Sequence, residues 1–199
     1  MKTKETIAII GATINIGSLI ARNLSKDTYR LILMSKDTEK LHALRKSLSS
    51  SDTRAIIDSN DCAKEVSWEA DIIMIAHPYE PQTEIAEKIR EVAIGKVVIT
   101  MSNPLNANYS GPVASSSTGT AEELQKLLPN STIVKAFNRT FAEDFSPPLI
   151  DGEGTDTFIA AHNGNSLDVV SNIVDAAGLI RGGRPVGEPK AGTPVVKAG

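Results

Sequence analysis

The residues with the clearest chemical potential are Gly11-Ala12-Thr13-Ile14-Asn15-Ile16-Gly17, set between a short apolar run and a helical pattern. A strand that ends in glycine and turns directly into a helix gathers backbone N–H groups at the positive end of the helix dipole, where they can hold a pyrophosphate. The spacing is the G-x-x-G-x-x-G form of a dinucleotide fingerprint. Ile14 stands where the middle glycine normally lets phosphate approach the backbone. On the pattern alone, a plain strand–helix turn explains these residues equally well. A second group follows about 20 residues on, where such a site reads its ribose. Ser35 offers a hydroxyl there, Lys36 and Lys40 offer two ammonium groups, and no acidic residue directly follows the strand. That chemistry favours a 2′-phosphate and therefore NADP over NAD. The plainer reading is two solvated surface lysines.

These residues need elements to place them. Short apolar runs alternate with helical patterns, the signature of a mainly parallel α/β sheet. Thr6–Ile10 suits a strand buried on both faces, and Ile16, Leu19, Ile20 and Leu24 give the following helix. Further strands are expected at Arg30–Met34, Ala55–Ile57, Asp71–Ala76, Val97–Met101, Ile133–Ala136 and Thr157–Ala160. Leu41, Leu44 and Leu48 mark a second helix, with Asp37 or Thr38 as its N-cap. Other helices are expected near Asp61–Val66, over Gln82–Ile94 with Gly95 behind it, and at Ala121–Leu128, Phe141–Phe145 and Ser166–Ala177. The polar segment from Ser102 to Gly119 is long enough to suggest a functional loop. Residues 1–180 therefore read as one nucleotide-binding unit. Residues 181–199 hold five glycines and three prolines and read as an extended or disordered tail.

Composition narrows the classes. With 199 residues, 41% hydrophobic and 23% charged, the chain is an ordinary globular one with an aliphatic core. A net charge of −3 gives no electrostatic footprint for nucleic acid or an anionic membrane. The uncharged stretches Ile7–Ala21 and Val97–Ala121 carry too many polar residues to span a bilayer. Cys62, the single cysteine, excludes an internal disulfide and fits a reducing compartment. With no targeting signal at the N-terminus, a cytoplasmic protein is expected. His42, Cys62, His77 and His162 lack metal-ligand spacing. Tyr29, Tyr79 and Tyr109 are followed four residues later by Leu33, Thr83 and Val113, so the Tyr-Lys pair of short-chain dehydrogenases is absent.

Several separated motifs together resemble one family, the NADPH-dependent coenzyme F-420 reductases and related bacterial NADP oxidoreductases. They are Gly11-Ala12-Thr13…Asn15-Ile16-Gly17, Ser35-Lys36, Ile75-Ala76-His77-Pro78-Tyr79-Glu80 and Ser102-Asn103-Pro104-Leu105-Asn106. Val134-Lys135-Ala136-Phe137-Asn138 with Phe141-Ala142-Glu143, and Asp175-Ala176-Ala177-Gly178-Leu179, complete the set. The resemblance implies a doubly wound, mainly parallel Rossmann-like sheet with a reduced C-terminal part, because the chain ends before a further apolar helix. It implies NADP(H) as cofactor, a flavin- or deazaflavin-like hydride acceptor and a homodimer. By the same resemblance, Thr13, Asn15 and Ile16 lie along the pyrophosphate, with Gly11 and Ile14 in the same cofactor-binding turn, where Ile14 replaces a family glycine, and Ser35, Lys36 and Lys40 near the 2′-phosphate. Ala76, His77 and Pro78 fall beside the adenosine and ribose, Ser102, Asn103 and Pro104 at the nicotinamide, and Ala136, Phe137 and Asn138 toward the acceptor. Hydride transfer between two bound cofactors needs little acid–base machinery. For that reason a non-catalytic NADP(H)-binding sensor is the alternative.

Overall fold

A computed structural model describes residues 4–49, 52–77, 82–101, 120–137, 157–161, 164–177, 184–185 and 195–198. At its centre is β1 (Thr6–Ile10), whose five residues are all buried. A strand buried on both faces must be covered by helices on both sides, and that is the arrangement here. β2 (Arg30–Met34) and β4 (Ile72–Ile75) flank β1 in parallel, with Ile10 opposite Met34 and Ile75 at their carboxyl ends. β3 (Ile56–Asn60) adds outside β2, while β5 (Val97–Thr100) and β6 (Thr132–Lys135) continue beyond β4. The parallel order β3-β2-β1-β4-β5-β6 is the doubly wound, Rossmann-like α/β order.

Alternation along each strand divides the core into two layers. Ile7, Ile9, Leu31 and Leu33 face α1 (Asn15–Leu24), α2 (Thr38–Leu48) and α6 (Gly164–Ala176). Ala8, Ile10, Ile73 and Ile75 face α3 (Ala63–Glu69), α4 (Gln82–Ile89) and α5 (Thr120–Leu127). α6 buries Val170, Ile173 and Val174 in the first layer, and Asn23 Nδ2 of α1 donates to Ala177 O at 2.9 Å. The last helix therefore braces the first, the one that carries the glycine loop.

Beyond β6 the sheet turns antiparallel. β7 (Thr157–Ala161) pairs with β6, β9 (Val195–Ala198) with β7, and β8 (Arg184–Pro185) with β9. Parts of the Gly/Pro-rich segment 181–199 thus lie in the sheet. The helix read at 141–145 falls outside the described residues.

Element limits depart from the periodicity in informative ways. β3 runs to Asn60 rather than Ile57, because a half-buried edge strand continues through Asp58-Ser59-Asn60 with no apolar signal. α3 accordingly starts later, at Ala63. α4 ends at Ile89 rather than Ile94; Val92 and Ala93 stay buried in the turns that follow, so their apolar spacing prolonged the pattern beyond the helix.

Candidate functional site

Parallel strands leave a crevice at their carboxyl ends where neighbouring helices depart to opposite faces. Between β1, β2 and β4 that crevice is a cleft of about 840 Å³, lined by Gly11, Thr13, Ile14, Ser35, Lys36 and His77. Its outer wall comes from the start of α3 and from α4, including Cys62, Ala63, Ile85 and Lys88.

The glycines are imposed by geometry. Gly11 has φ +87°, and a Cβ there would lie 2.8 Å from both Ala76 O and His77 Cδ2. A Cβ on Gly17 would lie 2.4 Å from Gly11 O. α1 therefore sits directly on the turn that feeds it. The turn is fixed by Gly11 N and Ala12 N, which both donate to Met34 O at 3.0 Å, and by Ile14 N, which donates to Gly11 O at 3.0 Å. Ile14 is the N-cap of α1, extended at φ −80° and ψ 149°, so its backbone makes no demand for glycine. Its side chain provides no capping acceptor, and the first turn carries no acid. The leading N–H groups of α1, behind an N-cap that lines the cleft, thus have no side-chain anion.

The start of α2 is organised differently. Thr13 Oγ1 and Ser35 Oγ share a hydrogen bond of 2.6 Å, and Asp37 N donates to Ser35 Oγ at 3.1 Å. Asp37 Oδ1 accepts from Lys40 N at 3.0 Å and caps α2, while Asp37 Oδ2 pairs with Lys40 Nζ at 2.9 Å. Those contacts hold the Asp37 carboxyl below the usual range and raise the Lys40 ammonium. Lys36 Nζ donates to Asp61 O at 2.9 Å.

His77 closes β4 half-buried, and desolvation pushes its imidazole below the ordinary value. Its Nδ1 is buried without a hydrogen-bond partner among the described residues. Farther along the carboxyl edge is a buried polar cluster that the sequence pattern did not single out. Thr100, the last residue of β5, donates to Gln82 Oε1 at 2.7 Å, and Gln82 Nε2 reaches Thr120 O at 3.5 Å. Lys135, opposite Thr100 in β6, donates to Thr120 Oγ1 at 3.1 Å, and burial lowers its ammonium pKa.

Of the residues expected at a cofactor site, Gly11, Thr13, Ile14, Ser35, Lys36 and His77 come together on the cleft. Asn15 is exposed at the start of α1, and the Ile16 side chain packs into the core, leaving only its backbone at the helix end. Lys40 stands outside the cleft wall, paired with Asp37. Ala76 is buried beneath Gly11. Ala136 and Phe137 are buried in the core layer of α1 and α6, and Phe137 adopts φ +59°. Pro78, Ser102, Asn103, Pro104 and Asn138 lie outside the described residues. Asp37 and Cys62 were legible only as an N-cap and a lone thiol; their place on the cleft follows from the loops after β2 and β3 ending at the same edge.

Residues 6–104 match the family of coenzyme F420-dependent NADP oxidoreductases. Through this part, just under half of its length, the chain is similar to that family. An F420-dependent NADP reductase of Methanocaldococcus jannaschii is 26% identical over 194 residues, covering 90% of this chain and 82% of its own. The solved structure of a proposed F420-dependent NADP reductase from Arthrobacter sp. FB24 superposes with a TM-score of 0.72 at 16% identity, covering 87% of this chain and 81% of that one. A Plasmodium falciparum pyrroline carboxylate reductase with NADP bound has the same fold at a TM-score of 0.58 and 15% identity, covering 91% of this chain and 58% of that one. The family is one of NADP-dependent oxidoreductases, and its match spans both glycines, Ser35-Lys36 and His77. Among the described residues, no helix is long and apolar enough to cross a membrane.

Proposed function

We propose that the chain binds NADP(H) across the carboxyl edge of its parallel sheet and transfers hydride between it and a flavin- or deazaflavin-like acceptor. One observation carries the reading: a helix N-terminus without a side-chain cap is held against a glycine turn that leaves no space for a Cβ, and that turn and the N-cap Ile14 line the 840 Å³ cleft. Such an end attracts an anion that the chain does not itself supply. The first-turn N–H groups of α1 and Thr13 would hold the pyrophosphate. Ser35 and Lys36, with Lys40 behind them, would hold the 2′-phosphate, and Ala63 and Ile85 would give the adenine an apolar wall. When bound, NADPH supplies a hydride from its dihydronicotinamide ring.

The chain's own contribution is orientation and exclusion of water. β1 and β4 fix the pyrophosphate turn, so the rest of the cofactor would extend along the edge toward β5 and β6. The Gln82–Thr100–Thr120–Lys135 cluster lies there and offers a cation to an acceptor that gains negative charge with the hydride. Desolvation keeps His77 neutral at pH 7, so it adds no positive charge beside the turn.

The test pairs a binding titration of NADPH with an assay of NADPH oxidation against coenzyme F420, flavins, ferric chelates and quinones. Binding together with turnover on a deazaflavin or flavin is expected. Absence of NADPH binding would overturn the site. Binding without turnover on any acceptor would overturn the transfer and favour a sensor.

A further inference from the structure

We infer that Asp37 sets how strongly the cleft prefers a 2′-phosphorylated adenosine over one with a free 2′-hydroxyl, and that its carboxylate holds this preference down. The inference rests on the NADP(H) reading above, with the adenosine half bound at the start of α2.

Two lysines after β2 suggest a strong phosphate site, yet in this structure neither ammonium is idle. Lys36 Nζ donates to the carbonyl of Asp61, and Lys40 Nζ is paired with Asp37 at 2.9 Å. The other Asp37 oxygen already occupies the N-terminus of α2 through Lys40 N. Its own N–H holds Ser35 Oγ, the hydroxyl nearest the end of the strand. Asp37 lines the cleft, and its side chain is 41% exposed. The anion that α2 would otherwise take from a ligand is thus supplied by the chain.

An incoming 2′-phosphate meets like charge at that helix end and must draw Lys40 away from its carboxylate. A 2′-hydroxyl meets an acceptor to which it can donate, with no repulsion. Specificity is the difference between two affinities, and one carboxylate acts on both in the same direction. Ser35, Lys36 and Lys40 pull toward the phosphate; Asp37 pulls back.

The test is a titration of NADPH and NADH against the wild-type chain, Asp37→Asn and Asp37→Ser, with the Tm of each recorded. Asn and Ser cap a helix about as well as Asp, so both variants remove the charge while retaining the cap. The ratio of NADPH to NADH affinity is expected to rise roughly tenfold in both, through tighter NADPH and weaker NADH. Lys40→Gln should lower the ratio, because it removes a cation and leaves the carboxylate unpaired. An unchanged or reduced ratio in both Asp37 variants would overturn the inference while the cleft reading stands. A wild-type chain that binds neither nucleotide would overturn both.

Discussion

α1 and α2 leave the carboxyl ends of neighbouring strands and point their N-termini at one cleft, but they treat that end in opposite ways. α1 begins with Ile14, which provides no side-chain acceptor, and has no acid in its first turn. α2 begins with Asp37, which accepts from Lys40 N, and carries Glu39 in its first turn. An uncapped helix end tolerates a chain-supplied deficit of hydrogen bonds only where something else satisfies it, whether water or a ligand anion. The difference leaves α1 as the end without a side-chain anion and α2 as a partly self-satisfied one. The glycines follow the same division, since Gly11 and Gly17 serve the approach of α1 to β1, and α2 contains none.

The largest expected effect comes from pushing α1 off its turn. In Gly17→Ala the new Cβ meets Gly11 O, a backbone atom that no rotamer change can move. A loss of about 3 kcal/mol of stability or more is expected from overpacking, with NADPH binding lost as well. Gly95→Ala is the converse case, because Gly95 lies at positive φ (75°) with open space around its Cβ, whereas Gly17 is helical and has only the close approach. It should lose only about 1–2 kcal/mol to backbone conformation. Urea unfolding of both separates space from conformation; equal losses would show that α1 is not held by close approach.

Exchanging the caps tests the contrast itself. Ile14→Asp gives α1 the kind of cap that α2 has, so the free chain should gain about 1 kcal/mol from capping, less what the isoleucine side chain contributes by packing. NADPH should bind at least about tenfold more weakly, because the new carboxylate takes the place of the pyrophosphate. Asp37→Ala gives α2 the open end of α1, and a drop in Tm of a few degrees is expected from the missing cap. If Ile14→Asp left NADPH affinity unchanged, α1 would not be the anion-binding end.

The contrast also marks what the sequence could disclose. The six parallel strands were legible because β1, β2 and β4 are almost wholly apolar, and Gly11 and Gly17 were legible by spacing. Sequence also proposed Asp37 as a cap and Lys36 and Lys40 as cations. It could not reveal that Asp37 and Lys40 pair with each other, since that depends on where two flexible side chains settle within one helical turn. Edge elements were the least legible. Asp58-Ser59-Asn60 of β3 carry no apolar pattern, β8 is only the two residues Arg184–Pro185, and β9 is a Val-Val pair inside a Gly/Pro-rich stretch. The Gln82–Thr100–Thr120–Lys135 cluster was hidden for a related reason. Its members are 53 residues apart at the extremes and meet only because β4, β5 and β6 end at the same edge.

The smallest effect is a pH dependence that resolves the two regions. Burial lowers the folded-state pKa of His77, beside the turn to α1, below its unfolded value of about 6.5. Its penalty is absent above that pH and grows as pH falls toward the folded pKa, because the unfolded chain takes up the proton first. Asp37, at the start of α2, has a folded pKa lowered by the backbone N–H and ammonium of Lys40. Its contribution is present above the unfolded value of about 3.9 and is lost as pH falls through the folded pKa. Chemical denaturation across pH 3 to 8 should therefore show an upper step removed by His77→Gln and a lower one removed by Asp37→Asn. Added salt separates them further. The exposed Asp37–Lys40 pair is screened, so its step shrinks, whereas the His77 step arises from desolvation and persists. A His77 step that shrank equally in salt would mean that a neighbouring charge, and not burial, holds that imidazole neutral.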